Sequence, residues 1–328
     1  MTEERNHSEE LFKVHKTVVA PGASEVVRLP VGALPTGRQI LMEAHVFRAV
    51  EPGPVGLLLA GVHGDETNGI EIVRRTLEEG WFHNMQRGSI IALPVVNVYG
   101  FINYSREMPD GKDVNRSFPG SSRGSLASRV AHAITRRVLP LADWLIDFHT
   151  GGGRIYNYPQ VRYSPGDEGS EQLAAQFGAP FSVGKAPIRQ SLRRVAQEQG
   201  KPALVFEGGE SLRYDAFAVE EGLNGLRRVL VGQGMLGGGV SGQPFLRHDF
   251  PRQGWVRAPK AGMFEALPEA GAHVVKGQEL GFIHSPYGEK LAVVSAPRDG
   301  HLIACNRAPV VNQGDALFHL GYEGEESL

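Results

Sequence analysis

Apolar positions along this chain follow two periods. Some segments are runs of consecutive apolar residues, and others carry an apolar residue every three to four positions. The first kind reads as buried strands and the second as amphipathic helices. Strands are expected at 25–29 and 40–47, from Leu57, at 89–96 and from Trp144; helices are expected at 70–77 and 128–138. Such alternation is the signature of an α/β sheet. Beyond it, 153–169 reads as a loop, 170–177 and 192–198 as short helices, and 203–206 as a strand. A last helix is expected at 216–230, with Asp215 as its N-cap. The first 20 residues are polar and are expected to fray.

The pattern changes after a glycine-dense stretch at 232–242, the strongest linker signal in the chain. This divides the sequence into a flexible N-terminus (1–20), a large α/β unit (21–240) and an all-β unit (250–328). The second unit repeats itself weakly. Ala258-Pro259-Lys260-Ala261-Gly262 recurs as Ala296-Pro297-Arg298-Asp299-Gly300, and Val274-Val275-Lys276-Gly277 recurs as Val310-Val311-Asn312-Gln313-Gly314. Two strand–turn–strand copies resemble a barrel-sandwich hybrid of the lipoyl or biotinyl type. Such carriers present a lysine between the halves. Here that region is His284-Ser285-Pro286-Tyr287-Gly288-Glu289-Lys290, without flanking methionines. A structural module that walls an active site or supports a homo-oligomer is the better reading.

Two apolar runs end on side chains that bind metals. Leu57-Leu58-Leu59-Ala60 leads to His63 and Glu66, and Trp144-Leu145-Ile146 leads to His149. Ligands of open α/β sheets bind where strands end and helices begin. Two imidazoles and one carboxylate, with a fourth position left for water, suit a catalytic zinc. Asp147 lies two residues before His149, on the same face of a strand, and is placed either to orient that imidazole or to pack. None of the other histidines among the twelve has comparable surroundings.

The segment between these ends contains Asn97 to Arg106 and Asp110 to Gly120, and reads as an irregular functional loop. Asn115 and Arg116 together suit a carboxylate, through a planar fork and one further donor. Arg106 is then free for a second anionic centre, such as a developing oxyanion.

Composition narrows the classes. A formal charge of −2 and a pI near 6.6 give no basic face for nucleic acid. The single cysteine, Cys305, excludes an internal disulfide framework and a cysteine-based zinc cluster. No run approaches the ~20 apolar residues of a membrane span, and no apolar leader is seen, so a cytoplasmic protein is expected.

With His63-x-x-Glu66, Arg106, Asn115-Arg116, His149 and Glu207 in order, the chain resembles the succinylglutamate desuccinylase/aspartoacylase family. The resemblance implies an α/β, zinc carboxypeptidase-like mixed sheet with flanking helices. It implies one zinc per chain on His63, Glu66 and His149, and a substrate carboxylate held by Asn115 and Arg116. Arg106 would polarise a carbonyl, and Glu207 would serve as general base and proton shuttle. Glu210 competes for that last role, since both glutamates fall just past the strand at 203–206. The implied activity is hydrolysis of an N-acyl amino acid, or a related amide, to carboxylate and amine. A metallocarboxypeptidase acting on short peptides uses the same groups, and a non-enzymatic carrier built on the C-terminal unit is the reading from another class. Arg193 and Arg194 either read the acyl side of a substrate or form a solvated helix face.

Overall fold

A computed structural model describes residues 12–33, 36–239 and 247–322. A small hairpin of β1 (Lys13–Val14) and β2 (Thr17–Val18) lies within the expected flexible N-terminus, whose residues 1–11 fall outside the described ones. The α/β part then runs β3 (Ser24–Ala33), β4 (Gln39–Arg48), β5 (Glu51–Ala60), α1 (Thr67–Glu78), β6 (Arg87–Leu93), α2 (Val98–Asn103), α3 (Leu126–Arg137) and β7 (Trp144–Gly151). It continues with β8 (Ile155–Tyr163), α4 (Glu168–Phe177), β9 (Phe181–Gly184), α5 (Leu192–Glu198), β10 (Ala203–Glu210) and α6 (Ala216–Gly232).

The centre of the main sheet is parallel, in the order β6-β5-β7-β10, with antiparallel β4 and β3 beyond β6 and antiparallel β8 beyond β10. Successive residues of a strand face opposite sides, and the central strands are buried on both. Leu57 and Leu59 of β5 pack with Val130 and Ile134 of α3 and Leu192 of α5. Leu58 and Ala60 pack on the other face with Ile72 of α1 and Leu223 and Leu226 of α6. This explains the continuous apolar runs, which mark strands covered on both faces. Asp215 caps α6 by accepting from the Ala218 amide at 2.8 Å, as expected.

Three local expectations are corrected. The presumed loop at 153–169 contains β8, one of the best-paired strands of the sheet. Pro159, which has no amide proton to donate, lies within it. The sheet accommodates it in a bulge: Gln160 faces Glu207, whereas Asn157 faces Gly209, so β8 holds one extra residue there. The loop after β6 folds a six-residue helix, α2, because the Asn97 side chain caps it through the Gly100 amide at 2.8 Å. The strand expected at 203–206 extends to Glu210, so Glu207 and Glu210 both lie within it.

The C-terminal strands are β11 (His248–Phe250), β12 (Arg252–Arg257), β13 (Gly262–Ala266), β14 (His273–Val274), β15 (Glu279–His284), β16 (Lys290–Ser295), β17 (Gly300–Asn306), β18 (Val310–Val311) and β19 (Ala316–Tyr322). The sequence repeat becomes two interlocked copies. β13 pairs with β15 and β17 with β19, while each copy's short middle strand pairs with the first strand of the other, β14 with β17 and β18 with β13. β16, β15, β13 and β18 form a separate sheet, whereas β17 hydrogen-bonds to β8 and so carries β19 and β12 onto the edge of the main one. The fold class expected from the sequence is therefore the one observed. The glycine-dense stretch begins at the end of α6, and its residues 240–242 lie outside the described ones. Among the described residues no helix is long and apolar enough to cross a membrane.

Candidate active site

Four central elements deliver polar side chains to one end of the sheet. His63 follows β5 in a turn that needs Gly64, because a Cβ there would collide with the backbone of Gly100 and Phe101. Glu66 stands at the N-cap of α1. His149 lies near the carboxyl end of β7, and Glu207 is its register partner on β10.

His63, Glu66 and His149 are buried, and each offers a ligand atom within 4.8 Å of the others. His63 Nδ1 lies 2.7 Å from Glu66 Oε1, and His149 Nδ1 lies 2.7 Å from Glu66 Oε2. The outer nitrogens are also engaged: His63 Nε2 faces Asp113 Oδ1 at 3.1 Å, and His149 Nε2 faces Asp147 Oδ2 at 2.8 Å. Burial alone would disfavour charge here, but the opposed charges and hydrogen bonds outweigh it. The pKa of Glu66 is held below the usual carboxylate range, that of His63 lies above its ordinary value, and that of His149 lies well above. The donor set fits a zinc ion: two imidazoles and a carboxylate converge, and each imidazole is oriented through its other nitrogen by an acid.

Arg106 packs beside this group. Its Nη2 and Nε donate to Asp113 Oδ2 at 2.8 and 3.2 Å, and its Nη1 to Glu66 Oε1 at 3.3 Å. Asp113 therefore links Arg106 to His63, and burial notwithstanding, His63 and Arg106 hold its pKa below the usual range. Asn115 accepts the Leu192 amide proton on its side-chain oxygen at 2.9 Å, which orients the amide group. Arg116 is exposed, and its Nη1 donates to the Asn115 carbonyl at 2.7 Å.

The seven residues to which the family resemblance gave a role line one pocket of about 260 Å³: His63, Glu66, Arg106, Asn115, Arg116, His149 and Glu207. Glu210 does not line it. Its side chain instead approaches Arg307, at 3.7 Å. Arg193 also lines the pocket and is 7 % exposed, whereas Arg194 is ion-paired with Glu198 at 2.7 Å on the outside of α5. Burial, followed by the neighbouring charge of Arg162, lowers the pKa of Arg193 to about 10, and its Nη1 is buried without a partner among the described residues.

The structure adds four residues that the sequence did not single out. Asn157 Nδ2 donates to Glu207 Oε2 at 2.9 Å, and Arg162 Nη1 lies 3.5 Å from Glu207 Oε1. Both belong to β8, which the sequence disguised as a loop. Trp255 reaches the pocket from β12 of the C-terminal part. Asp113 was visible two residues before Asn115, and the general need of a ligand imidazole for an acceptor was its only sequence signal.

Known proteins resemble this chain in sequence and in fold. Residues 52–232 match the model of the succinylglutamate desuccinylase/aspartoacylase catalytic domain. The chain is 30 % identical over 280 residues, 81 % of each protein, to N-α-acetyl-L-2,4-diaminobutyric acid deacetylase of Halomonas elongata. Its fold is similar to the product-bound ectoine utilization protein EutE (DoeB) of Ruegeria pomeroyi, with a TM-score of 0.83 and 25 % identity over 92 % of this chain and 95 % of that one. It is likewise similar to a succinylglutamate desuccinylase/aspartoacylase of Rhodobacter sphaeroides, with a TM-score of 0.79 and 26 % identity over 91 % and 96 % of the two chains. The chain therefore belongs to the succinylglutamate desuccinylase/aspartoacylase family and is a hydrolase of the deacylase type, acting on amide bonds.

Proposed function

We propose that the protein is a zinc-dependent amidohydrolase that cleaves an N-acyl amino acid, or a closely related amide, to a carboxylate and an amine. The observation that carries this reading is the register pairing of Glu207 with His149, which sets an acid beside the His63–Glu66–His149 cluster in a pocket that also holds Asn115 and Arg116.

His63, Glu66 and His149 would hold the ion, and a zinc bound there supplies Lewis acidity that acidifies water and polarises a carbonyl. Glu207, aimed by Asn157, takes the proton of the attacking water and returns it to the departing amine. Arg106, anchored on Asp113, faces the carbonyl oxygen as charge develops on it. Arg116 and the Asn115 amide grip the carboxylate of the amino-acid half. Residues 21–240 form the catalytic unit in this reading, and 250–328 form a module that walls the site.

The Halomonas elongata relative supports an N-acetylated amino acid as the first substrate to test. The decisive experiment offers metal-loaded protein a panel of N-acyl amino acids and a panel of dipeptides. Hydrolysis of the first panel is expected. Hydrolysis confined to dipeptides would make the protein a metallocarboxypeptidase. A carrier role would instead appear as covalent mass on Lys290, whose ammonium lies 3.8 Å over the Phe282 ring.

A further inference from the structure

Trp255 is a large apolar side chain, 39 % exposed, and it lines the candidate pocket from a strand outside the α/β part. Its position in the sheet is informative. The segment bearing Asn115 and Arg116 follows β6, whereas β12 lies at the far end of the strand order, beyond β8, β17 and β19. β5, β7 and β10, which supply His63, His149 and Glu207, lie between. The turn bearing Asn115 and Arg116 packs on α3, which itself lies against β3 at the other end of the strand order, so a substrate gripped there by its carboxylate and spanning the catalytic groups would direct its acyl half towards Trp255.

The indole is held in place. Trp255 is the register partner of His319 on β19, and the rings stack at 4.5 Å between centroids and 12° between planes. His319 is 3 % exposed, and its Nδ1 is buried without a partner among the described residues. Burial, together with the charges of Arg162 and Lys185, lowers its pKa to about 3, so the imidazole under the indole is neutral. Swinging Trp255 outwards would break the stack and open a buried polar ring to solvent. Ile155, Ile188 and Val205 supply further apolar lining. The cavity, about 260 Å³, lies below the ~300–1,000 Å³ usual for ligand sites, and the amino-acid half must share it.

We propose that Trp255 is a specificity-determining residue that closes the acyl side of the pocket and restricts the acyl group to a few carbons, with His319 as the positioning residue that holds the indole flat. This rests on the deacylase reading above. It assigns the C-terminal module a share in substrate selection.

The test measures kcat/KM for the N-acetyl, N-butyryl and N-hexanoyl derivatives of one amino acid, in the wild type and in Trp255→Ala, Trp255→Phe and His319→Ala. The readout is the hexanoyl-to-acetyl ratio within each protein, which does not depend on the fraction of active enzyme. Wild type should prefer acetyl. Trp255→Ala should raise the ratio by roughly tenfold or more, since each methylene a pocket discriminates is worth about that much. Trp255→Phe, which keeps an aromatic ring of smaller area, should raise it less, and His319→Ala should move it in the same direction through a loosened indole. Ratios equal to wild type in Trp255→Ala and Trp255→Phe would overturn the proposal. A wild type that hydrolyses none of the three compounds overturns the N-acyl amino acid reading proposed above, not the family assignment, and the size limit falls with it.

Discussion

Glu207 and His149 are register partners on the parallel strands β10 and β7, so their side chains leave the same face of the sheet side by side. That relationship separates two acids the sequence left in competition. Glu207 points into the pocket and is aimed by Asn157, whereas Glu210, three residues on, turns to Arg307.

Glu207→Gln should keep the metal and lose turnover by about 10²–10⁴-fold, the usual contribution of a positioned general base. Glu210→Gln should remain close to wild type in turnover. Steady-state kinetics with parallel elemental analysis decide between them. An active Glu207→Gln beside an inactive Glu210→Gln would transfer the role.

Zinc near one equivalent per chain is expected in purified protein, and His63→Ala and His149→Ala should lose it. Asp113→Asn and Asp147→Asn should retain binding but weaken it by about 10–100-fold, because each acid orients a ligand imidazole from behind. Competition with a graded series of chelators reads this directly. Wild-type zinc affinity in both histidine variants would show the ligand set to be wrong.

Arg116→Lys retains charge but loses the planar fork. Weaker capture of carboxylate-bearing substrates is expected, with zinc content unchanged. Methyl-esterifying the substrate carboxylate should then abolish most of the wild type's advantage. Equal discrimination between acid and ester by both proteins would exclude Arg116 as the clamp.

Arg193 and Arg194 are neighbours in sequence and opposites in environment. Arg193→Met should raise KM for substrates with an anionic acyl group by roughly tenfold or more, the scale of one hydrogen bond to a charged group. Arg194→Met, which only breaks a surface pair with Glu198, should leave KM unchanged. Equal effects of the two substitutions would mean that Arg193 does not face substrate.

His319 makes a pH-dependent contribution to stability. Its pKa falls from an ordinary 6.5 to about 3 on folding, so between these values the unfolded chain binds the proton and the folded one does not. Stability from this group is complete above pH 6.5 and is lost as pH falls, by roughly 1.4 kcal/mol per unit. Urea unfolding at pH 5 to 7 should show that slope in wild type relative to His319→Phe. Parallel profiles would place the His319 pKa near its ordinary value.

The amino-acid sequence by itself determined the elements with strong local periodicity and the residues that sit at their ends. Leu57 to Ala60, Trp144 to His149 and Asp215 at its helix show their roles within a window of ten residues, because strand alternation, helix period and capping are local physics. Tertiary structure alone decided whatever depends on register between distant strands. Asp113 meeting His63, Asn157 meeting Glu207 and Trp255 lying flat on His319 each join residues that no local pattern relates. β8 shows the limit most clearly. Its sequence reads as a loop, and only β10, β9 and β17, pairing along its two edges around a bulge, make it the strand that holds Glu207 through Asn157 and attaches the C-terminal module to the sheet.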